Sequence, residues 1–187
     1  MLNDQDKQTL LAVAQESIQN GLRNGNPASI TSSDYSAELQ ETRATFVTLT
    51  INGELRGCIG TLNAYQALVK DVAEHAYAAA FQDPRFTALT QNEFPHLHYH
   101  ISILSPTEPV EFESEQDLLE KIRPGIDGLV MEEGQHRGTF LPSVWESLPD
   151  RHSFLQHLKN KAGLPKNYWS ETIRIQRYTV EDIESST

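Results

Sequence analysis

The stretch 44–62 constrains the fold more than any other part of the chain. Residues 44–51, ATFVTLTI, are rich in β-branched and aromatic side chains, the composition of a strand. Asn52-Gly53 follows, and a tight hairpin needs two central residues that tolerate positive φ. Residues 54–62, ELRGCIGTL, then return antiparallel. With a two-residue loop, Ile51 faces Glu54, Leu49 faces Arg56 and Val47 faces Cys58. Arg56 and Cys58 then share a face with an apolar strand wall. A loop of another length flips the pairing but leaves Arg56 and Cys58 on a common face.

The returning strand holds the chain's single cysteine, Cys58, between Gly57 and Gly60, with Arg56 two residues ahead. Two main readings of Cys58 are open. Free cysteine is often a small buried hydrophobe on a central strand. Alternatively it is a nucleophile: thiolate is the reactive form, a nearby arginine or histidine favours it, and desolvation opposes it. Redox sensing and metal ligation are the lesser readings. Arg56 presents paired donors suited to a carboxylate or phosphate. Its structural alternative is an ion pair with a neighbour such as Glu54 or Asp83. Gly57 and Gly60 leave backbone amides uncovered, which can build an anion or oxyanion pocket. The same glycines equally suit a bulge or tight helix packing.

Composition narrows the classes. At 187 residues the chain fits one domain, with room for two lobes around a cleft. The formal charge of −11 repels phosphate backbones and anionic membranes, so neither nucleic acid nor a membrane is expected as a global partner. A local basic pocket remains compatible with a small anionic ligand. No apolar run reaches the roughly 18 residues of a membrane span, and the acidic, polar start does not read as a signal peptide. A single cysteine cannot form an intrachain disulfide, which suits a reducing cytoplasm.

Elsewhere helices and hairpins are interspersed. Asn3 or Asp4 caps a helix whose apolar face carries Leu10, Leu11, Ala14, Ile18 and Leu22, and Asn24-Gly25-Asn26-Pro27 stops it. Residues up to about Arg43 show no periodicity. A helix is predicted over 64–81, a strand over 98–104 with Tyr99, Ile101 and Ile103 on one face, and a short helix over 116–122. A second hairpin is predicted over 129–132 and 137–141, turning at Glu133-Gly134. A helix over 153–162 is closed by Gly163, and a last strand spans 171–178. Without a regular βαβ alternation, the pattern predicts an α+β fold with a mainly antiparallel sheet flanked by helices.

Several segments together resemble one family. LRGCIGTL at 55–62 is similar to the signature of the AMMECR-type domain. Asp83-Pro84-Arg85-Phe86 matches its DPRF segment, with Glu93 a short way beyond. The turn 125–128, GTFLPSV at 138–144, Phe154-Leu155 and Lys161-Ala162-Gly163-Leu164 follow in the same order. The likeness covers about residues 8–180. It implies two subdomains, with the LRGCIG segment near the cleft between them. It also implies kinship with component A of the AmmeMemoRadiSam system, whose expected partners are a Memo-like protein and a radical SAM protein. The family has no firmly established reaction, and no cofactor follows from the match. Many prokaryotic members carry glutamate where this chain has His100, so a carboxylate role there does not carry over.

The remaining site residues have structural alternatives. Asp83 caps a helix or orients Arg85, which can reach the cleft. Glu93 follows Thr90 by three residues, the spacing of a capping box, and is otherwise a candidate acid–base. His96, His98 and His100 alternate, so on a strand all three line one face, toward solvent or the cleft rim. That pattern suits a divalent metal in principle, but no fourth ligand is evident. Two functions follow from these residues. One is an enzyme, with Cys58 as nucleophile, Arg56 gripping an anionic group and the glycine amides stabilising developing charge. The other is a non-catalytic subunit that binds a small ligand or a segment of a partner.

Overall fold

The computed structural model describes residues 1–185 and divides the chain into two compact units. The first comprises Met1–Leu104 and the C-terminal segment that begins at Glu181; the second is Ser105–Val180. No helix among the described residues is long and apolar enough to cross a membrane.

The first unit is one four-stranded sheet with helices on one face. Helix α1 (Asp4–Asn24) starts where the Asn3 side chain accepts the Asp6 N–H and ends at Gly25, in the left-handed conformation at φ 72°. A short helix α2 (Ala37–Gln40) precedes β1 (Ala44–Ile51), β2 (Glu54–Gly60), α3 (Leu68–Phe81), β3 (Leu97–Leu104) and, near the end of the chain, β8 (Val180–Glu184). The strand order is β2-β1-β3-β8. Val47, Leu49, Tyr99, Ile101 and Ile103 pack on one side of the sheet with Leu10, Ala14 and Ile18 of α1 and Val69, Val72 and Ala76 of α3. The Tyr99, Ile101, Ile103 face expected from the sequence is therefore the core face. Thr48, Thr50, His98, His100 and Ser102 alternate with these residues and stand half-buried on the other side.

The second unit holds β4 (Glu108–Pro109), α4 (Glu115–Lys121), β5 (Gly128–Glu133), β6 (His136–Phe140), α5 (Arg151–Lys161) and β7 (Arg174–Tyr178). Its sheet runs β4-β7-β5-β6 and all its pairings are antiparallel. The core gathers Leu118, Leu129, Met131, Leu155 and Leu158 around Phe154, which stacks on Trp145 with ring centroids 3.7 Å apart. The buried Trp145 indole donates to the Asp127 carbonyl at 2.8 Å, so its one polar group is satisfied.

The α+β expectation holds, with two antiparallel sheets where one was read from sequence. Four local expectations change. The predicted helix over 64–81 begins only at Leu68, because Ala67 bridges Thr42 and the Leu68 N–H donates to the Glu41 carbonyl. The second hairpin turns at Gly134-Gln135, since Glu133 still pairs with His136. His96 lies in a 3₁₀ turn (Phe94–His96), so only His98 and His100 share the strand face. The unpatterned stretch 24–43 contains α2 and a 3₁₀ turn, both too short to show a period.

Candidate functional site

The first hairpin carries a bulge that decides where Cys58 points. Ile51 pairs with Glu54 and Thr50 with Leu55, but Leu49 then pairs with Gly57. Arg56 is the extra residue, and every later pair shifts by one. Cys58 is therefore opposite Thr48, not Val47, and its wall is polar rather than apolar. Glycine explains the shift. A Cβ at Gly57 would overlap the Ala79 carbonyl oxygen of α3, so the helix lies directly on this strand. The bulge turns Gly57 to the core beneath α3 and Cys58 to the opposite face. A Cβ at Gly60 would overlap the Thr45 carbonyl oxygen and the Phe46 ring. Both glycines thus serve close backbone packing.

The Cys58 sulfur is half-buried and accepts a hydrogen bond from the Thr48 hydroxyl at 3.2 Å. The Cys58 N–H donates to Asp83 Oδ2 at 2.9 Å. Asp83 is buried and holds Arg85 as well: Arg85 Nη2 reaches Oδ2 at 2.7 Å, and Arg85 Nε and N–H reach Oδ1 at 3.0 and 3.1 Å. The Arg85 guanidinium, and then these N–H donors, keep the Asp83 carboxyl well below the ordinary carboxylate range against the opposing effect of burial. Arg85 itself is 55% exposed and donates to the Cys58 carbonyl at 3.4 Å. Arg85, rather than Arg56, is the open guanidinium beside the cysteine.

Arg56 is spent elsewhere. Its Nε and Nη2 bind Glu93 at 2.8 and 3.2 Å, and Nη2 also donates to the Thr87 carbonyl at 2.9 Å. Its ion-pair partner is thus Glu93, not Glu54 or Asp83. Nη1 is buried with no hydrogen-bond partner among the described residues, and the guanidinium lies 5.8 Å from the Phe86 ring centroid. Glu93 also accepts from the Thr90 N–H and hydroxyl, each at 2.8 Å, the reciprocal bond of a capping box. Arg56, helped by Thr90, lowers the Glu93 carboxyl to about 2. The seven residues singled out in sequence therefore lie together, but in three roles. Cys58 is half-buried and Arg85 is exposed while paired with Asp83, Gly57 and Gly60 are packing positions, and Arg56, Asp83 and Glu93 are tied internally.

Two clusters lie outside those seven residues, and of their members only His100 was singled out in sequence. Beyond Thr48, β3 presents His100, and His100 Nε2 meets Asp182 Oδ1 of β8 at 2.8 Å. Asp182 also accepts from the Ser102 hydroxyl at 2.7 Å. The Asp182 hydrogen bond raises the His100 imidazole, and His100 lowers the Asp182 carboxyl. The strand at 180–184 had no signal strong enough to show it, so Asp182 stayed invisible. On the core side, Thr45, Asp71 and His75 form a buried cluster, with the Thr45 hydroxyl donating to Asp71 at 2.6 Å. The i, i+4 spacing of Asp71 and His75 was the available clue. Among the described residues, no group of three or more His, Cys, Asp or Glu side chains is placed to hold a metal. Two cavities, about 230 Å³ beside Lys70 and Glu74 and about 350 Å³ beside Arg123 and Arg177, do not include Cys58.

The AMMECR1 family model matches residues 11–183. The chain belongs to the AMMECR1 family. A protein of Methanothermobacter thermautotrophicus is 34% identical over 96% of this chain and 94% of its own length. Protein MJ0810 of Methanocaldococcus jannaschii is 37% identical over 80% of this chain and 77% of its own. The crystal structure of the uncharacterized protein PH0010 from Pyrococcus horikoshii is similar over 99% of this chain and 94% of that one, with a TM-score of 0.86 at 32% identity. Family and fold are thus settled together, and none of these names states an activity.

Proposed function

We propose that the outward face of the first unit's sheet is a small-molecule site, in which Cys58 acts as a nucleophile for an enzyme or a component of an enzyme system. What supports this reading is the direction of the Cys58 sulfur. The bulge turns it away from α3, leaves it half-buried, and gives it the Thr48 hydroxyl as partner instead of core aliphatics. A cysteine kept for packing belongs on the other side of this strand, where glycine stands. Arg85 supplies an exposed cation for an anionic substrate group next to it.

The test is alkylation of the folded protein by iodoacetamide at neutral pH, followed by mass spectrometry. Cys58 modifies at a rate at least equal to that of a free thiol, and Arg85→Gln changes the rate for anionic iodoacetate more than for neutral iodoacetamide. A sulfur that stays inert until the chain is unfolded in urea ends the nucleophile reading.

One observation favours a second reading. Arg56 spends its charge on Glu93, and Asp83 spends its own on Arg85 and on the Cys58 N–H, as a rigid framework would. On that reading the chain is a non-catalytic subunit presenting this face to a Memo-like or radical SAM partner. Co-purification with either partner, undiminished by Cys58→Ser, supports it; no association with both at micromolar concentration counts against it.

A further inference from the structure

One row of side chains crosses three strands on the outward face of the first sheet, and a carboxylate from the fourth, beside Ser102, reaches its end. Thr48 on β1 is opposite Cys58 on β2 and also opposite His100 on β3. β8 lies next to β3, and its Asp182 meets His100 Nε2 at 2.8 Å. Asp182 is itself held by the Ser102 hydroxyl at 2.7 Å. A carboxylate on Nε2 fixes the neutral ring with its proton there and leaves Nδ1 as the acceptor. Cys58 and His100 are two strand spacings apart, roughly 10 Å between backbones. That separation is too great for the imidazole to take the thiol proton directly. It is short enough for both groups to touch one small substrate lying across Thr48.

We infer that His100, oriented by Asp182 and Ser102, is the proton-transfer group of this face, and that the substrate is a small acyl compound, an ester or thioester. The inference rests on the nucleophile reading of Cys58. In the first half-reaction the Cys58 sulfur, its proton lost to solvent, forms a bond to the carbonyl carbon. The bond from that carbon to the leaving group breaks, and protonated His100 gives its proton to the departing oxygen or sulfur. In the second half-reaction neutral His100 takes a proton from a water molecule whose oxygen attacks the new thioester. The carbon–sulfur bond breaks and the Cys58 thiolate returns. One water is consumed and nothing is oxidised or reduced. The acyl class follows from the pairing of a sulfur nucleophile with a group that can protonate the leaving atom and then activate water, the two needs of thioester formation and its hydrolysis.

The test uses p-nitrophenyl acetate with the full chain. p-Nitrophenolate departs without needing a proton, so acylation of Cys58 does not depend on His100 while deacylation does. The wild type gives a burst of one equivalent followed by turnover. His100→Gln keeps the burst, slows the later phase by about 10²–10⁴-fold and accumulates an acetyl group on Cys58 by intact mass. Added imidazole restores turnover. Asp182→Asn slows the later phase by a smaller factor with kcat/KM unchanged, and serves as the second variant should His100→Gln fold poorly. Deacylation at the wild-type rate in both variants overturns the role of His100 while leaving Cys58 as nucleophile. No burst and no acetyl-Cys58 in the wild type overturns the nucleophile reading itself.

Discussion

Thr48 donates its hydroxyl to the sulfur of Cys58 at 3.2 Å across the first hairpin. The pairing exists because Arg56 is bulged out of register between Leu55 and Gly57. Thr48→Val keeps shape and β-propensity and removes only the donor. A net hydrogen bond is worth about 0.5–1.5 kcal/mol, so alkylation of Cys58 at neutral pH slows by about 2- to 10-fold. An unchanged alkylation rate would show that the Thr48 hydroxyl does not act on the sulfur.

Gly57 is the position where α3 and β2 meet backbone to backbone. A methyl group there meets the Ala79 carbonyl oxygen, which belongs to a helix and cannot swing aside as a side chain would. Gly57→Ala therefore destabilises the first unit by at least about 1–3 kcal/mol, the usual cost of overpacking. Chemical denaturation of wild type and variant measures it. Gly53→Ala is the contrasting control: its φ of 80° strains the turn, yet a methyl there meets nothing. Gly57→Ala at wild-type stability would show that α3 does not press on this strand in solution.

How much of this was readable in advance depends on which interaction sets each feature. The ends of β1, the left-handed turn at Asn52-Gly53 and the cap at Asn3 are fixed by neighbours in sequence, and each was legible. The burial of Ile101 and Ile103 followed from strict alternation. The register of β2 was not legible, because it depends on how closely α3 approaches Gly57, a contact made with a distant segment. Pairing Val47 with Cys58 assumed a regular ladder. For the same reason Arg56 looked available: nothing local announces that Glu93, 37 residues on, closes over it. Asp182 depends on a strand, VEDIE, whose own residues carry little β-preference and which is defined by the edge of β3 it joins.

Glu93 makes the Arg56 pair sensitive to acid. Its carboxyl is lowered to about 2, with Arg56 as the leading cause. A lowered carboxyl contributes stability that is fully present above its unfolded value, about 4.3, and is lost as pH falls through about 2. Between those limits the wild type loses melting temperature and Glu93→Gln loses less over the same range. At pH 7 the variant is less stable than the wild type, and the two curves converge toward pH 2. Parallel curves from pH 5 to pH 2 would show that the pair adds nothing to folding.

His100 gives the opposite dependence on the same sheet. Asp182 and Glu184 on β8 raise its imidazole, Asp182 through the hydrogen bond and Glu184 through charge, while burial opposes them. Around it stand the titratable His98 on its own strand, the neutral Ser102, and Thr48 and Cys58 on β1 and β2. A raised histidine contributes stability that is present below its unfolded value, about 6.5, and is lost as pH rises through the folded one. Both partners are more than a third exposed, so solvent screening keeps the effect small. The expected signature is therefore spectroscopic. The His100 imidazole resonances titrate above those of an unfolded histidine, and Asp182→Asn brings the midpoint down. A midpoint unmoved by Asp182→Asn would mean that the carboxylate does not hold the ring in solution, and the orienting role assigned to Asp182 would fall with it.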